Sequence, residues 1–454
     1  MSGDSELFAH FISVLEEAGV PYCILAGYDG YPERIGSDVD FMVPAAWAGR
    51  LPGLIATGAG RGGAHLIQYL RHETTAAYFV VARTEHGRVT YLHPDWSADY
   101  RRRGRLWLEA RQVLEHRRRH ARGFWIPAAA DAFAYYLIKK IDKGHRLQED
   151  QAEQLRCRFL EDPVGGARVL REWLPEKVAA QVEEAVRTGQ WEMAPALGQL
   201  RALLNSRAPA EKWDTRVRQA VSNARRFASR LAAPTGLHIV FLGPDGSGKS
   251  SIIERVSLEM AQAFRRVSYH HLRPGLLVSK RAGGMVTDPH AKPLRGNFLS
   301  ILKLIHFTLD YWVGGLVSLW PAKVRSTFVV FDRYFHDLLA DPRRYRYGGP
   351  PRLARLLGRT VPQPDLVFLL DAPPELLQQR KQEIPLSEGV RQRGAYLALQ
   401  PEFREARVID VSQSLDQVVS QVLGEIIAFQ ARRIAARLEV QQSSASIAVT
   451  RPAA

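Results

Sequence analysis

The sequence predicts an α/β protein with an N-terminal α/β domain, a helical middle region and a C-terminal α/β domain with a parallel sheet. Three observations support this prediction. Short strand-like runs alternate with helix-like runs over residues 1–125, helical periodicity alone covers 126–232, and a second strand–helix series covers 237–430. Residues 431–454 form a tail that we expect to be disordered at its end.

Length and composition restrict the class of protein. At 454 residues the chain is too long for one hydrophobic core, so more than one domain is expected. Cys23 and Cys157 are too few for a disulfide framework, and a cytoplasmic location is expected. The formal net charge of +15 indicates an anionic partner, which nucleic acid, a membrane surface or a polyphosphate ligand would each satisfy.

Two basic stretches and one apolar stretch need an interpretation. The arginine clusters at 101–105 and 117–122 are expected to be solvated surface, with contact to an anionic substrate or membrane as the alternative. The most apolar stretch, 298–320, contains Lys303, His306 and Asp310, which would be costly at a bilayer centre. We expect a buried helix and no membrane span there, while peripheral membrane contact and oligomerisation stay open.

The front half contains a carboxylate pair on a strand-like run. It starts with the helix-like "ELFAHFISVLEEAG", followed by the strand-like runs "YCILAG", "DVDFMV", "AAYFVVAR" and "RVTYLH". Asp38 and Asp40 are two apart, which directs both side chains to one face of a strand. Capping of the turn around "GSD" is the structural alternative for these carboxylates.

With Gly27 upstream, this D-x-D pair resembles the nucleotidyltransferase superfamily that includes polymerase-beta-like enzymes. The resemblance implies that Asp38 and Asp40 hold magnesium together with a third carboxylate from a later strand, for which Asp95 is the first choice and Asp99 the second. Three lysines on the following helix either meet a triphosphate or form a solvated face: Lys139, Lys140 and Lys143.

The C-terminal domain begins after a predicted linker, "AAPTG" at 232–236, with a strand-like run, a glycine loop and a helix-like run. The loop fits G-x-x-x-x-G-K-[ST], a P-loop whose backbone amides surround phosphates. Lys249 would reach the outer phosphates of ATP and Ser250 would bind Mg²⁺. The residues predicted to bind the nucleotide are Gly243, Asp245, Gly246, Ser247, Gly248, Lys249, Ser250 and Ser251.

Residues 237–430 resemble the thymidylate kinase family of nucleoside monophosphate kinases. The resemblance lies in Asp245 within the loop, "FDRY" ending at Tyr334, "PDLVFLLDAPPELLQQRKQE", "RPG" at 273–275 and "VIDVSQSLDQV". It implies that Asp332 lies near magnesium or the attacking oxygen, that Arg333 and Arg273 hold the anionic group of the acceptor, and that Asp245 contacts an acceptor hydroxyl.

Phosphoryl transfer also needs a cation for the transition state, and the loop has no arginine at 244–247. We expect this cation to come from a closing lid, whose candidates are Arg380, Lys381, Arg391 and Arg393.

The acceptor is predicted to be more anionic than a simple nucleotide. Two basic segments are predicted to surround the acceptor site, one after "RPG" and one after "DRY". Their cations are Lys280, Arg281, Lys292, Arg295, Arg343, Arg344 and Arg346. Each arginine can hold an anion through two hydrogen bonds, which suits a phosphorylated or acidic sugar, glycan or nucleotide.

The prediction is therefore an ATP- and Mg²⁺-dependent P-loop kinase acting on a small acceptor, joined to a nucleotidyltransferase-like domain that acts on a related substrate. One alternative is a thymidylate kinase with an inactive N-terminal binding module. The other is a basic nucleic-acid-binding ATPase, which is disfavoured because motor-type motifs are missing, so nucleic acid is not an expected partner.

Overall fold

A computed structural model of the chain describes residues 2–73, 75–85, 87–102, 105–144, 146–207, 213–275, 293–380 and 385–449. The chain divides into two compact units. Unit 1 comprises Met1–Ala82, Tyr91–Arg225 and Arg433–Ala454, and unit 2 comprises Arg83–Thr90 and Arg226–Arg432. Both units combine helices with β-sheet, so the predicted α/β class is confirmed.

The strands of the first half follow one another closely and range from two to ten residues. They are β1 (Cys23–Ala26), β2 (Val39–Met42), β3 (His65–Glu73), β4 (Ala76–Glu85), β5 (Arg88–Leu92), β6 (Pro94–Ser97), β7 (Tyr100–Arg102), β8 (Arg105–Leu108), β9 (Arg118–Arg119) and β10 (Trp125–Ile126). Within the described residues the main sheet has the order β1-β2-β6-β4-β3, with β5 paired to β4. Strands β2 and β6 run parallel.

The helices of the first half are α1 (Gly3–Glu17), α2 (Leu51–Arg61), α3 (Ala110–Glu115), α4 (Ala129–Lys143), α5 (Glu149–Glu161), α6 (Pro163–Trp173), α7 (Glu176–Thr188), α8 (Leu197–Arg207) and α9 (Trp213–Ala232). The boundary between the units lies within α9, between residues 225 and 226.

Strand alternation gives the sheet of unit 1 two buried faces. Ile24 and Phe41 pack in a core with residues of α1 and α2. Leu25 and Met42 pack in a second core with residues of α4 and the helices after it. Because successive side chains point to opposite faces, Asp40 lies on the same face as Met42, the face that α4 covers.

Unit 2 is built on a parallel sheet. Its strands are β11 (Leu237–Leu242), β12 (Arg266–His271), β13 (Thr327–Asp332), β14 (Leu366–Asp371) and β15 (Ala406–Asp410), in the order β12-β13-β11-β14-β15. All four neighbouring pairs are parallel. The P-loop follows the central strand β11, and Asp332 ends its neighbour β13, so both lie at the carboxyl edge, where ligands of such sheets bind.

The helices of unit 2 are α10 (Lys249–Met260), α11 (Asn297–Gly314), α12 (Trp320–Val324), α13 (Asp337–Ala340), α14 (Pro351–Gly358), α15 (Pro374–Arg380), α16 (Leu386–Leu397) and α17 (Leu415–Val449). Helix α17 thus extends into the tail for which disorder is predicted, and residues 450–454 lie outside the described residues. No helix among the described residues has both the length and the apolar character needed to cross a bilayer.

The prediction of a fully buried helix at 298–320 is wrong for one face. Helix α11 continues through a π-helical turn at Gly315–Leu319 into α12. Its inner face is buried through residues such as Phe307 and Tyr311, but Phe298 and Leu316 are 77% and 75% exposed. A helix packed against one layer buries only the stripe that faces it, and this sequence is apolar around most of its circumference.

Candidate active site

The P-loop of unit 2 adopts the backbone that its glycines allow. Gly246 and Gly248 have φ angles of 82° and 78°, which favour glycine, and Gly248 is the N-cap of α10. A Cβ on Gly243 would lie 2.9 Å from the carbonyl oxygen of Leu370. The loop therefore leads directly into the first turn of α10, whose free amides and positive dipole end suit a phosphate.

Lys249 is held inside the loop. Its Nζ donates to the carbonyl oxygens of Gly243 and Pro244 at 2.9 and 2.8 Å. Burial lowers the pKa of Lys249 to about 8, and the positive charge of Arg333 acts in the same direction. The ammonium group can exchange these carbonyl oxygens for phosphate oxygens, whose negative charge would raise the pKa of Lys249 again.

Asp332 provides a buried carboxylate beside the loop. It is paired in register with Phe241 and is 6% exposed. Its Oδ2 accepts a hydrogen bond from the Tyr269 hydroxyl at 3.4 Å, whereas Oδ1 is buried and has no hydrogen-bond partner among the described residues. A buried carboxylate oxygen without a partner is the kind of ligand that Mg²⁺ prefers, and the Ser250 hydroxyl at the end of the P-loop would be a second oxygen ligand.

Arg333 links the loop to a buried acidic residue. Its backbone has a φ of 72°, and its amide donates to Phe241 O at 3.0 Å. One end of its guanidinium donates to Asp337 at 2.9 Å, and the other donates to Asp245 in the loop. Burial acts to lower the pKa of Arg333, but Asp337 and other neighbours raise it well above its usual value.

Asp337 is fully buried and accepts three hydrogen bonds, which stabilise the negative charge of its carboxylate. The hydroxyls of Tyr345 and Tyr396 donate to it at 2.6 and 2.7 Å, in addition to Arg333. Burial acts to raise the pKa of Asp337, yet Arg333 and the two hydroxyls keep it below its usual value. Asp337 therefore holds the guanidinium of Arg333 in place, and Tyr345 and Tyr396 hold Asp337.

Asp245 contacts a second arginine that the sequence-based interpretation did not place there. Its other carboxylate oxygen accepts from Arg344 Nη2, while Arg344 is also anchored to Asp341. In this arrangement Asp245 is paired with two guanidinium groups. The contact with an acceptor hydroxyl that the resemblance implies for Asp245 would be a third hydrogen bond to this carboxylate, beside the two guanidinium groups.

A cavity of about 100 Å³ lies beside this network. It is lined by Leu272, Arg273, Ser300, Lys303, Leu304, Phe307, Leu338, Tyr345, Arg346 and Tyr347. Burial lowers the pKa of Lys303 to about 8, and the neighbouring cations Arg295, Arg273 and Arg346 add to the effect. Tyr345 joins the cavity to the active site because its hydroxyl donates to Asp337.

The three described lid candidates contact residues other than the P-loop. Arg380 donates to Val411 O at 3.0 Å. Arg391 pairs with Glu388. Arg393 makes two hydrogen bonds to Asp371, at 2.7 and 2.8 Å. The structure does not bring these arginines to the loop, and Lys381 lies outside the described residues.

The basic segments around the acceptor site are placed in part. Arg346 lines the cavity, Arg344 contacts the P-loop and Arg343 is exposed. Arg295 donates to Tyr345 O at 3.5 Å, and Arg273 lies 3.9 Å from the buried Asp310. Lys280, Arg281 and Lys292 lie outside the described residues.

In unit 1 the structure brings the predicted carboxylates onto neighbouring strands. Asp40 of β2 is the register partner of Asp95 of β6. A Cβ on Gly27 would lie 2.2 Å from Asp38 O, so the glycine lets β1 pass close to the carboxylate strand. Burial, followed by the charges of Asp40 and Asp38, raises the pKa of Asp95 to about 7.

Each of these carboxylates also has a neighbour on the same face. Lys139 of α4 pairs with Asp40, the Tyr78 hydroxyl donates to Asp38 at 3.4 Å, and His72 lies 3.5 Å from Asp95. The described residues contain no group of three or more His, Cys, Asp and Glu side chains that could hold a metal. The role of Asp38, Asp40 and Asp95 as metal ligands stays a prediction.

The remaining candidates of unit 1 lie elsewhere. Asp99 pairs with Arg101 at 3.2 Å and accepts from the backbone of Ala110. Lys140 lies over the Tyr136 ring, Lys139 pairs with Asp40, and the positive charges of Lys139 and Lys143 both act to lower the pKa of Asp95.

Sequence reasoning missed three residues of the unit 2 site: Lys303, Asp337 and Arg344. Asp337 has a local signal, since it lies four residues after Arg333, the spacing of an ion pair on one turn of helix. Lys303 was noted only as an interruption of an apolar run, and Arg344 only as part of a basic segment. Neither has a local signal for its contacts.

Part of the chain is similar to curated thymidylate kinases. One, from Staphylococcus haemolyticus, is 25% identical over 208 residues, which is 42% of this chain and 97% of that protein. Another, from Lactobacillus acidophilus, is 24% identical over 206 residues, 42% of this chain and 94% of that protein. No protein-family model matches the chain. The similarity supports a nucleotide-kinase-like activity in part of this chain.

Proposed function

We propose that unit 2 transfers the γ-phosphoryl group of ATP to a small acceptor that carries more than one anionic group. The cavity that Tyr345 connects to the Asp337 network supports this proposal, since Arg273, Lys303 and Arg346 all line it. Its aromatic wall, including Phe307, suits a flat ring or the apolar face of a sugar. The acceptor is therefore a phosphorylated or acidic nucleotide, sugar or glycan fragment.

The residues of unit 2 would have different roles in the reaction, according to where they lie. The P-loop amides and Lys249 would hold the ATP phosphates, and Ser250 with Asp332 would hold Mg²⁺, which supplies charge neutralisation when bound. Arg333 would orient the reacting anionic group of the acceptor because the Asp337 network fixes its guanidinium. Arg273, Lys303 and Arg346 would bind the second anionic group in the cavity.

Lys303 should decide the preference for a doubly anionic acceptor. In Lys303→Met we expect kcat/KM for such an acceptor to fall about 10-fold or more, because a charged hydrogen bond in a desolvated site is lost. Lys303→Arg should retain most of the activity. Since the pKa of Lys303 is about 8, its ammonium is charged below that pH, and KM should rise as the pH increases through 8.

The measurement is ADP release by the full chain with ATP, Mg²⁺ and each of three probe acceptors: thymidine monophosphate, a hexose bisphosphate and a hexuronic acid phosphate. Saturable turnover of thymidine monophosphate at sub-millimolar concentration, unchanged in Lys303→Met, would contradict the acidic-acceptor proposal. It would instead support the alternative of a thymidylate kinase whose N-terminal unit only binds.

We also propose a second activity, nucleotidyl transfer by unit 1. The observation in favour is that Asp40 and Asp95 face each other in parallel register, with Lys139 on Asp40 and Asp38 next on the same face. The carboxylates would hold magnesium, and Lys139 would move from Asp40 to a triphosphate. Two carboxylates this close favour a cation between them.

Calorimetry tests the second activity in a Lys249→Ala background, which weakens nucleotide binding at the P-loop. We expect Mg²⁺-nucleoside triphosphate to bind the full chain, and the addition of Asp38→Asn and Asp40→Asn to weaken this binding about 10-fold or more through the loss of both anionic ligands. Binding that the two asparagines leave unchanged would indicate an inactive unit 1.

A further inference from the structure

The P-loop of unit 2 needs a cation that its own sequence does not supply. Phosphoryl transfer spreads negative charge over the oxygens of the γ-phosphoryl group, and enzymes of this kind use an arginine to stabilise it. Residues 244–247 contain none. Arg380, Arg391 and Arg393 contact Val411, Glu388 and Asp371 instead of the loop.

Among the described residues, Arg344 hydrogen-bonds to the loop from outside it, as the buried Arg333 also does. Its Nη2 donates to Asp245, which is the third residue of the P-loop sequence. Its Nε and backbone amide contact Asp341 at 3.4 and 3.2 Å, and its side chain is 19% exposed. Arg344 is thus held at its base by Asp341 while the end of its guanidinium lies at the phosphate-binding loop.

The segment that carries Arg344 is firmly anchored. The amide of Arg346 donates to Arg343 O at 2.9 Å, and the amide of Tyr347 donates to Pro342 O at 2.9 Å. The next residue, Tyr345, is buried and its hydroxyl donates to Asp337. A short side-chain movement therefore suffices to redirect the guanidinium, without a change in the backbone of the segment.

We infer that Arg344 is a catalytic residue that leaves Asp245 and binds the γ-phosphoryl group during transfer. A phosphate dianion competes well with a carboxylate for a guanidinium, since both accept two parallel hydrogen bonds and the phosphate carries more charge. The exchange has a second effect: Asp245 is released on one side and becomes able to accept a hydrogen bond from the acceptor.

The inference rests on the proposed phosphoryl transfer by unit 2 but not on the identity of the acceptor. In the reaction, a bond forms between an acceptor oxygen and the γ-phosphorus. The bond from this phosphorus to the β–γ bridging oxygen breaks, and its electron pair stays on ADP. An acceptor hydroxyl releases its proton to solvent. Arg344 stabilises the charge on the phosphoryl oxygens throughout, while Arg333 keeps its contact with Asp337.

Binding of ADP with aluminium fluoride tests the inference without any acceptor. Aluminium fluoride imitates the phosphoryl group in transfer, and calorimetry on the full chain with Mg²⁺-ADP measures how much it tightens binding. We expect about a 10-fold or larger gain for the wild type, by analogy with arginine contributions to phosphoryl transfer. Arg344→Ala should bind ADP alone as the wild type does and lose the gain.

Three comparisons separate a catalytic from a structural role of Arg344. An exposed arginine of helix α14 gives the control: Arg355 pairs with Glu402, and Arg355→Ala should keep the gain. A cation supplied at the same place should restore part of the gain, either as millimolar guanidinium chloride with Arg344→Ala or in Arg344→Lys. The third comparison is Arg344→Ala combined with Asp245→Asn: if Arg344 only neutralised Asp245, this double variant would recover the gain, whereas a catalytic Arg344 predicts that the gain stays lost.

The inference is overturned if Arg344→Ala keeps the full gain, or if the wild type binds ADP no more tightly with aluminium fluoride. Absence of ADP binding to the wild type would overturn both this inference and the kinase activity. A failure of the acidic-acceptor proposal would appear only in the turnover assays, because no acceptor is present in this experiment.

Discussion

Lys249→Ala is expected to remove nearly all phosphoryl transfer by unit 2. No other described lysine lies inside the loop, where Lys249 contacts Gly243 O and Pro244 O. Loss of such a preorganised cation costs about 3 kcal/mol or more in the transition state, which corresponds to a reduction of about 100-fold in rate. ADP release by the purified variant, with the acceptor on which the wild type is active, measures this loss.

The variant should remain folded, which separates catalysis from stability. Burial lowers the pKa of Lys249, so the charged ammonium is costly in the folded protein and its removal should not lower Tm. Arg255→Ala, on the same helix but paired with the exposed Asp416, is the control and should keep its turnover. If Lys249→Ala kept more than a tenth of the wild-type turnover, the assignment of Lys249 as the cation that the reaction needs would be wrong.

Arg333→Ala is expected to lose both activity and stability. Asp337 is fully buried, and without Arg333 its carboxylate keeps only the two tyrosine hydroxyls. Removal of one partner of a buried ion pair costs about 3–5 kcal/mol, since the other charge stays buried and unpaired. Urea unfolding measures the cost. A chain of two units need not unfold in one step, so the relevant transition is the one that Mg²⁺-ADP shifts.

A double-mutant cycle gives the control for this prediction. If the cost of Arg333→Ala comes from the stranded Asp337 carboxylate, addition of Asp337→Asn should recover part of the lost stability, and the two changes should be strongly non-additive. Additive effects of Arg333→Ala and Asp337→Asn, or a cost below about 1 kcal/mol for Arg333→Ala, would show that the pair is not coupled in this way. Activity should stay low in the double variant, since the guanidinium is still missing.

The parts of unit 2 that could be predicted from the sequence are those that local interactions determine. The P-loop is an example, since Gly246 and Gly248 adopt φ angles that other residues rarely adopt, between an apolar strand and a helix. The α/β class follows from the same kind of signal, because strand and helix periodicities are properties of short segments. In unit 1, the strand-like run at 38–43 correctly indicated β2, in which Asp40 lies, whereas Asp38 precedes the first residue of this strand.

Tertiary structure alone decided which side chains meet. Arg333 and Arg344 reach Asp245 across 88 and 99 residues of chain, and no local pattern distinguishes Arg344 from the exposed Arg343. The lid arginines show the opposite case. Their positions in the sequence suited catalysis, but in the folded protein Arg393 hydrogen-bonds to Asp371. Partners of long charged side chains depend on how strands and loops pack.

The same reason accounts for Lys303 and for the apolar helix that contains it. The composition of 298–320 predicted burial, but only packing against the sheet decided that Phe307 faces inward and Phe298 outward. Packing also turned Lys303 into the cavity, where burial and three arginines lower the pKa of its ammonium. By itself the sequence determined the phosphate-binding loop and the class of fold; the tertiary structure decided which charges surround the acceptor, because those charges come from segments far apart in the chain.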